Sequence, residues 1–435
     1  MKIYRYPSKA AEERIQDIAG RGLHYKKKDL QAVSRIIEEV KKSGDAAVIR
    51  YINRFDSPTL NKEEIRVSKK EFELAKKRVD RPFLKALARA AAQIEGFHRR
   101  QFSASWVTTE RDGTLLGQLV RPVDRAGIYV PGGAGGTTPL VSSVLMGAIP
   151  AKTAGVKEIV MTTPPTREGT VNPHLLVAAQ TAGVDAVFKA GSAWGIAALA
   201  FGTQTVPKVD IIAGPGNIYV TLAKKVLAGQ VGIDMIAGPS EILIIADDTA
   251  NPNYAAADLL SQAEHDPLAS AMMITDSTDV AVTTQEALAD QLQQLARKDI
   301  AQKSLARYGM ILLVPDLDAA FAIANRIAPE HLELLIKEPL AFLAQIRHAG
   351  AVFVGPYAPE PMGDYIAGPN HVLPTAGTAR FSSALSVDHF LKKTSLIYYS
   401  EKAFLREAGD VIRLAEIEGL GAHAASVRAR LKSKK

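Results

Sequence analysis

Residues 209–229 read VDIIAGPGNIYVTLAKKVLAG, and this pattern sets the fold class. A short apolar run leads into Gly214-Pro215-Gly216-Asn217 and then into a helical pattern, giving strand, glycine turn and helix. The same theme extends upstream. KEIVMTT (157–163) and DAVFKAG (185–191) read as strands, and LLVAAQTAG (175–183) and AWGIAALAFG (193–202) as helices. GIYVPGG (127–133) is a strand running into a glycine loop. Downstream, MIAGPSEILIIAD (235–247) adds a strand after a Gly-Pro turn. A second block then alternates helix 253–266, strand 270–276, helix 284–297, strand 309–316, helix 318–336 and strand 350–359. Such alternation predicts βαβ units, parallel sheets and an α/β protein with two sheets.

The flanks differ. Residues 30–44, 71–79 and 82–101 carry helical periodicity; Leu30, Val33, Ile36, Ile37 and Val40 share a face that Gly44 is placed to stop. Residues 362–387 are loop-rich, and the chain ends in a helical pattern over 405–431.

The chain has 435 residues, 47% apolar and 23% charged, so it folds around a sizeable core. It has no cysteine, which excludes disulfides, a cysteine nucleophile and iron–sulfur clusters, and leaves any metal to nitrogen and oxygen ligands. The net charge of +7 is uneven: residues 1–112 hold 26 basic and 16 acidic side chains, the remainder 27 and 30. Lys26-Lys27-Lys28 is the densest run. No nucleic-acid module accompanies it, so it reads as a solvated helical surface and no nucleic acid is expected as a partner. The first 17 residues lack the apolar core of a signal peptide, and Gly and Pro interrupt the longer apolar runs. A soluble, cytoplasmic protein with no membrane partner is expected, with residues 432–435 frayed.

Several short constellations suit chemistry. Tyr129 to Gly136 and Gly214 to Asn217 are glycine turns at strand ends, where open α/β sheets bind ligands; tight turns alone also explain them. Gln262 and His265 are three apart and share a helix face, able to hold a metal or simply to end a solvated helix. Pro329-Glu330-His331 places a carboxylate beside an imidazole, suited to proton transfer, with Pro329 opening a helix and Glu330 in its first turn. Asp364 lies in a Gly/Pro loop after a strand, followed by Gly368-Pro369-Asn370-His371. Glu418 and His423 lie in the C-terminal tail, where Gly419 and Gly421 are placed to break the helix.

Each signal is weak alone. In this order, Tyr129-Val130-Pro131-Gly132-Gly133, Gly214 to Val220, Gly232 to Glu241, Ser261 to Asp266, Ala328 to Leu332, Gly363-Asp364-Tyr365 and Gly368 to His371 resemble the histidinol dehydrogenase family over nearly the whole chain. The resemblance implies oxidation of L-histidinol to L-histidine through the aldehyde, with two NAD and a zinc ion. It implies Gln262, His265, Asp364 and His423 as zinc ligands and Glu330 and His331 as proton acceptors. Substrate contacts fall on Ser240, Gln262, His265, His331, Asp364, Glu418 and His423, and NAD contacts on Tyr129 and Asn217. Where family members carry a glutamine that contacts NAD, this chain has Trp194, whose ring is able to stack instead.

The family architecture implies two incomplete Rossmann-like domains with small terminal helical extensions, in a homodimer with shared active sites. The boundaries expected are an N-terminal extension over 1–23, a first domain over 24–128 and 246–385, an NAD-binding domain over 129–245, and a tail over 386–435 reaching the partner. A relative acting on another polar alcohol, such as a sulfonated diol, is the alternative; Glu418 suits a cationic imidazole or amine and repels a sulfonate.

Overall fold

The structure, a computed structural model, describes residues 1–22, 25–132 and 138–432. The far end of the glycine loop expected over 129–136 lies outside the described residues, as do residues 433–435 of the tail. The chain divides into two compact units, Met1–Gln101 with Asp124–Phe390, and Phe102–Val123 with Leu391–Lys435.

In chain order the strands are β1 (Ile3–Arg5), β2 (Trp106–Arg111), β3 (Thr114–Pro122), β4 (Arg125–Tyr129), β5 (Glu158–Thr163), β6 (Ala186–Lys189), β7 (Ile211–Ala213), β8 (Gly232–Ile233), β9 (Glu241–Ala246), β10 (Ser270–Thr275), β11 (Met310–Leu313), β12 (His331–Leu335), β13 (Ala351–Val354) and β14 (Leu391–Tyr398). The first unit holds two sheets in which every pairing is parallel. One runs β1-β11-β10-β9-β12-β13 and the other β6-β5-β4-β7-β8. The α/β class with parallel sheets is therefore as expected.

Strand periodicity explains the six-stranded sheet. Leu243, Ile245, Met272, Ile274, Leu332 and Leu334 pack on one face with Ile15, Ile18 and Phe321. Ile242, Ile244, Met273, Ile311 and Leu335 pack on the other, against Leu259 of helix Pro252–Ala263 and Leu288 of helix Thr278–Leu292. Both faces are covered, which is why EILIIA and SAMMIT are apolar without a polar alternate.

The cores group the segments differently from the expected boundaries. Helices Lys27–Ser43 and Asp45–Phe55 pack on the five-stranded sheet, with Val33, Ile37 and Val48 in one cluster with Phe188, Ile212 and Leu222. At the N-terminus, β1 adds to the edge of the six-stranded sheet. β9 belongs to that sheet from Glu241 onward, ahead of the boundary expected at 246.

Two local expectations also change. The helix expected over 318–336 is Leu317–Ile327 only. Ala328 turns left-handed at φ 52, Pro329 ends the helix instead of opening one, and His331–Leu335 becomes β12 between β9 and β13. The run HLELL suits either periodicity, and burial between two neighbouring strands decides for the sheet. Asp364 lies in a short helix, Glu360–Tyr365, where a loop was expected.

The second unit contains an antiparallel sheet of order β14-β3-β2, which the sequence pattern did not announce. Helices Glu401–Ile417 and Gly421–Lys432 follow, broken at Glu418 and Gly419 (φ 72) as the glycines suggested.

Gly214 has φ +120, and a Cβ there would stand 2.1 Å from the Tyr129 carbonyl oxygen. Gly214→Ala is expected to cost about 3 kcal/mol, read by denaturant unfolding. Gly409→Ala, where nothing lies within 4 Å, is expected to be neutral or stabilising by up to about 1 kcal/mol.

Asp56 supplies a pH-dependent test. It caps helix Asp45–Phe55; its Oδ2 is buried without a partner, and burial pushes its pKa up to about 7. Its folded pKa exceeds the unfolded value of about 3.9, so this residue's contribution falls as pH rises from about 4 to 7 and then levels. Asp56→Asn is therefore expected to gain about 2 kcal/mol on the parent at pH 8 and little at pH 4. A Tm difference that stays flat across that range would contradict the assignment.

Candidate active site

The site starts from β12. His331 and Glu333 pair in register with Ile242 and Ile244, so they share the sheet face covered by helix Pro252–Ala263. His331 is 3% exposed and Glu330, just before the strand, 5%. The Glu241 backbone holds both: its N–H donates to Glu330 Oε2 at 2.8 Å, and its carbonyl accepts from His331 Nδ1 at 2.8 Å. A carbonyl only accepts, so Nδ1 carries the hydrogen and Nε2 is the free basic nitrogen of the neutral ring. Burial pushes the His331 pKa down to about 4, which keeps that ring neutral. Burial raises the Glu330 carboxyl well above the usual range, and the nearby Glu241, Asp364 and Glu360 charges add to this.

The other wall comes from residues 360–371. Asn370 is buried and donates to the Met146 carbonyl at 2.7 Å, which anchors the Gly368–His371 turn. His371 Nδ1 then lies 3.6 Å from Asp364 Oδ1. Burial works to raise the Asp364 pKa, but the hydrogen bond and charge of His371 prevail and lower it. Helix Glu360–Tyr365 approaches β13 closely: a Cβ on Gly363 would meet the Phe353 ring at 2.6 Å. This brings Glu360 Oε1 to 3.8 Å from His331 Nε2. Ligand atoms of His331, Glu360 and Asp364 all lie within 4.8 Å of one another, the geometry of a cation site.

Helix Pro252–Ala263 closes the third side. Gln262 is 1% exposed, yet neither its amide oxygen nor its nitrogen has a partner. A buried amide is rarely left so, and a metal that takes its oxygen relieves the cost. The helix stops at Ala263, so His265 follows the helix instead of sharing its face, and is exposed. The donor set of amide, carboxylates and imidazoles, with no thiolate, suits zinc on nitrogen and oxygen.

Sequence reasoning overlooked three acids here. Burial raises the Glu360 and Glu333 pKa values to about 9 and about 10, with Asp364 and Asp258 as the next causes. Each acid had a legible signal. Glu360 is four residues before Asp364, Asp258 four before Gln262, and Glu333 two after His331. Those are the helix and strand repeats that put side chains on one face.

The cofactor candidates lie at the carboxyl edge of the five-stranded sheet. Tyr129 ends β4, and its hydroxyl accepts from the Ser192 N–H at 3.1 Å. Burial pushes its pKa up. Asn217 follows β7 and caps helix Ile218–Leu227, its Oδ1 accepting from Tyr219 and Val220 N–H, while the residue stays exposed. A buried Lys224–Asp234 pair clamps that turn. Lys224 Nζ donates to the Gly214 carbonyl at 2.9 Å, and the Gly214 N–H donates to Asp234 Oδ2 at 2.8 Å. Trp194 lies in helix Ser192–Phe201. It is 5% exposed, and its ring lies 5.7 Å from Tyr51 and 5.6 Å from Phe55, nearly parallel to each, so it packs against the chain's own aromatics.

Ser240 is half-buried beside Glu241. Glu418 and His423 belong to the second unit, where both are exposed.

The family model described as Histidinol dehydrogenase matches residues 21–431. The chain is 54% identical to the histidinol dehydrogenase of Desulfotalea psychrophila over 401 residues, 92% of each chain. It is 53% identical to that of Carboxydothermus hydrogenoformans over 92% of this chain and 93% of the relative. The crystal structure of histidinol dehydrogenase from Elizabethkingia anophelis superposes with a TM-score of 0.93 at 38% identity, covering 100% of this chain and 98% of that one. The chain belongs to the histidinol dehydrogenase family.

Proposed function

We propose that this family member, an NAD-dependent oxidoreductase, takes L-histidinol to L-histidine through L-histidinal, with one zinc ion and two NAD per turnover. The observation that carries this reading is the buried Glu330–His331 pair near Asp364 and Glu360, with a buried, unpartnered Gln262 amide on the helix that covers the same sheet face. Gln262, His265, Asp364 and His423 would hold the zinc, the last of these reaching the site of a second copy in a homodimer. Zinc, when bound, supplies a Lewis acid that makes the substrate alcohol easier to deprotonate.

His331 Nε2 takes the alcohol proton, since Nδ1 is already committed to the Glu241 carbonyl. The imidazolium so formed is stabilised by the Asp364 carboxylate. NAD, when bound, would supply the hydride acceptor for each of the two oxidations, one NAD per step. Glu330, in its ionised form, would take a proton from the water that adds to the aldehyde; its raised pKa makes that carboxylate the stronger base. Burial of both groups keeps bulk water away between the two oxidations. Ser240 and Glu418 would bind the substrate's polar ends, and Tyr129 and Asn217 the cofactor. Among the described residues no helix is long and apolar enough to cross a membrane. A cytoplasmic site of action is part of the proposal.

The zinc-loaded protein is expected to yield two NADH per L-histidinol, with activity lost to a chelator and restored by zinc. No NADH from histidinol in a zinc-replete sample would overturn the proposal. Gln262→Ala is expected to weaken zinc binding at least about tenfold in a direct titration, with the fold intact by circular dichroism. His331→Asn is expected to lower kcat by about 10²–10⁴-fold.

A further inference from the structure

The catalytic pair is held by one residue's backbone, and that residue is itself anchored from elsewhere. Glu241 is the first residue of β9, paired in register with Ser270 of β10. Its N–H and carbonyl position Glu330 and His331. Its side chain points the other way. Ile242 faces helix Pro252–Ala263, so by strand alternation Glu241 faces the side covered by the N-terminal helix Lys9–Ala19. There Arg21, two residues past that helix, donates from Nη2 to Glu241 Oε1 at 2.9 Å. The pair is buried, with Arg21 8% and Glu241 2% exposed. The guanidinium also lies 4.5 Å over the Tyr308 ring, which fixes its plane.

We infer that Arg21 is a positioning residue for the Glu330–His331 pair, acting through the side chain and backbone of Glu241. The inference rests on the proton-transfer reading of that pair. Arg21 touches neither catalytic group. A buried Arg–carboxylate pair is an expensive way to gain stability, since an apolar pair of similar volume does as well or better. It does impose direction on both partners, and here the direction is passed to the start of β9. Misplacement of a catalytic group by about 1 Å costs up to about 10²-fold in rate.

The test is a double-mutant cycle on the zinc-loaded enzyme with L-histidinol and NAD. Arg21→Met is expected to lower kcat about 10- to 100-fold, with KM for both substrates within about threefold and zinc content unchanged. Arg21→Lys, which keeps the charge, is expected to recover part of the loss. In the His331→Asn background, Arg21→Met is expected to cost at least about threefold less than in the parent, because one of the two groups it positions is gone. Arg21→Met strands a buried carboxylate; if it fails to fold, Arg21→Met with Glu241→Met removes the anchor without stranding a charge. A folded single or double variant with parental kcat overturns the inference. So does an equal loss in both backgrounds, which marks general loosening. Parental activity in His331→Asn alone overturns the underlying reading of the pair, and the inference with it.

Discussion

Strands and helices run in opposite directions in a parallel α/β layer, so each sheet has one edge rich in helix starts and one rich in helix ends. That polarity organises the whole first unit. At the carboxyl edge of the five-stranded sheet, helices Ser192–Phe201 and Ile218–Leu227 begin beside Tyr129 and Asn217. In the six-stranded sheet the candidate chemistry lies at the opposite edge. Glu241 and His331 begin β9 and β12, and helices Pro252–Ala263 and Leu317–Ile327 end just before His265 and Glu330. Helix ends carry partial negative charge, and acids gathered there call for a proton or a metal ion to balance them.

Desolvation converts that arrangement into reactivity. Glu330, Glu333 and Glu360 are pushed toward their neutral forms and His331 is kept neutral, each with burial as the largest cause. Asp364 stays ionised because His371 sits beside it. Acids of one chemical type thus divide into proton holders and a charge carrier according to their neighbours. The apolar walls that cause this are the same residues that build the sheet. Ile242 and Ile244 flank His331 and Glu333 in register, so core and site share one set of contacts.

Much of the site was legible residue by residue. Glu330, His331 and Asp364 come from different parts of the chain and lie close enough to act on one another's ionisation. What failed was conformation at their borders. The stretch after Pro329 has apolar residues at spacings that fit helix and strand alike, and only pairing with β9 and β13 distinguishes them. Trp194 was read by its substitution for an amide. The structure shows it as core, because helix Asp45–Phe55 brings Tyr51 and Phe55 to its ring. Residues 106–122 and 391–398 gave no strand signal; exposed, half-polar antiparallel strands stabilise one another only when paired.

The amino-acid sequence by itself determined the α/β class, the absence of thiol chemistry and the identity of the groups able to move protons or hold a metal. These follow from periodicity and side-chain type, which are local properties. Tertiary structure alone decided that Arg21 anchors Glu241, that the Glu241 backbone leaves His331 Nε2 as the free base, and that Glu360 and Glu333 join the buried acids. The hydrogen bonds among them join groups 89 or more residues apart, and the acids depend on how much water is excluded where they meet; neither is written in any local stretch.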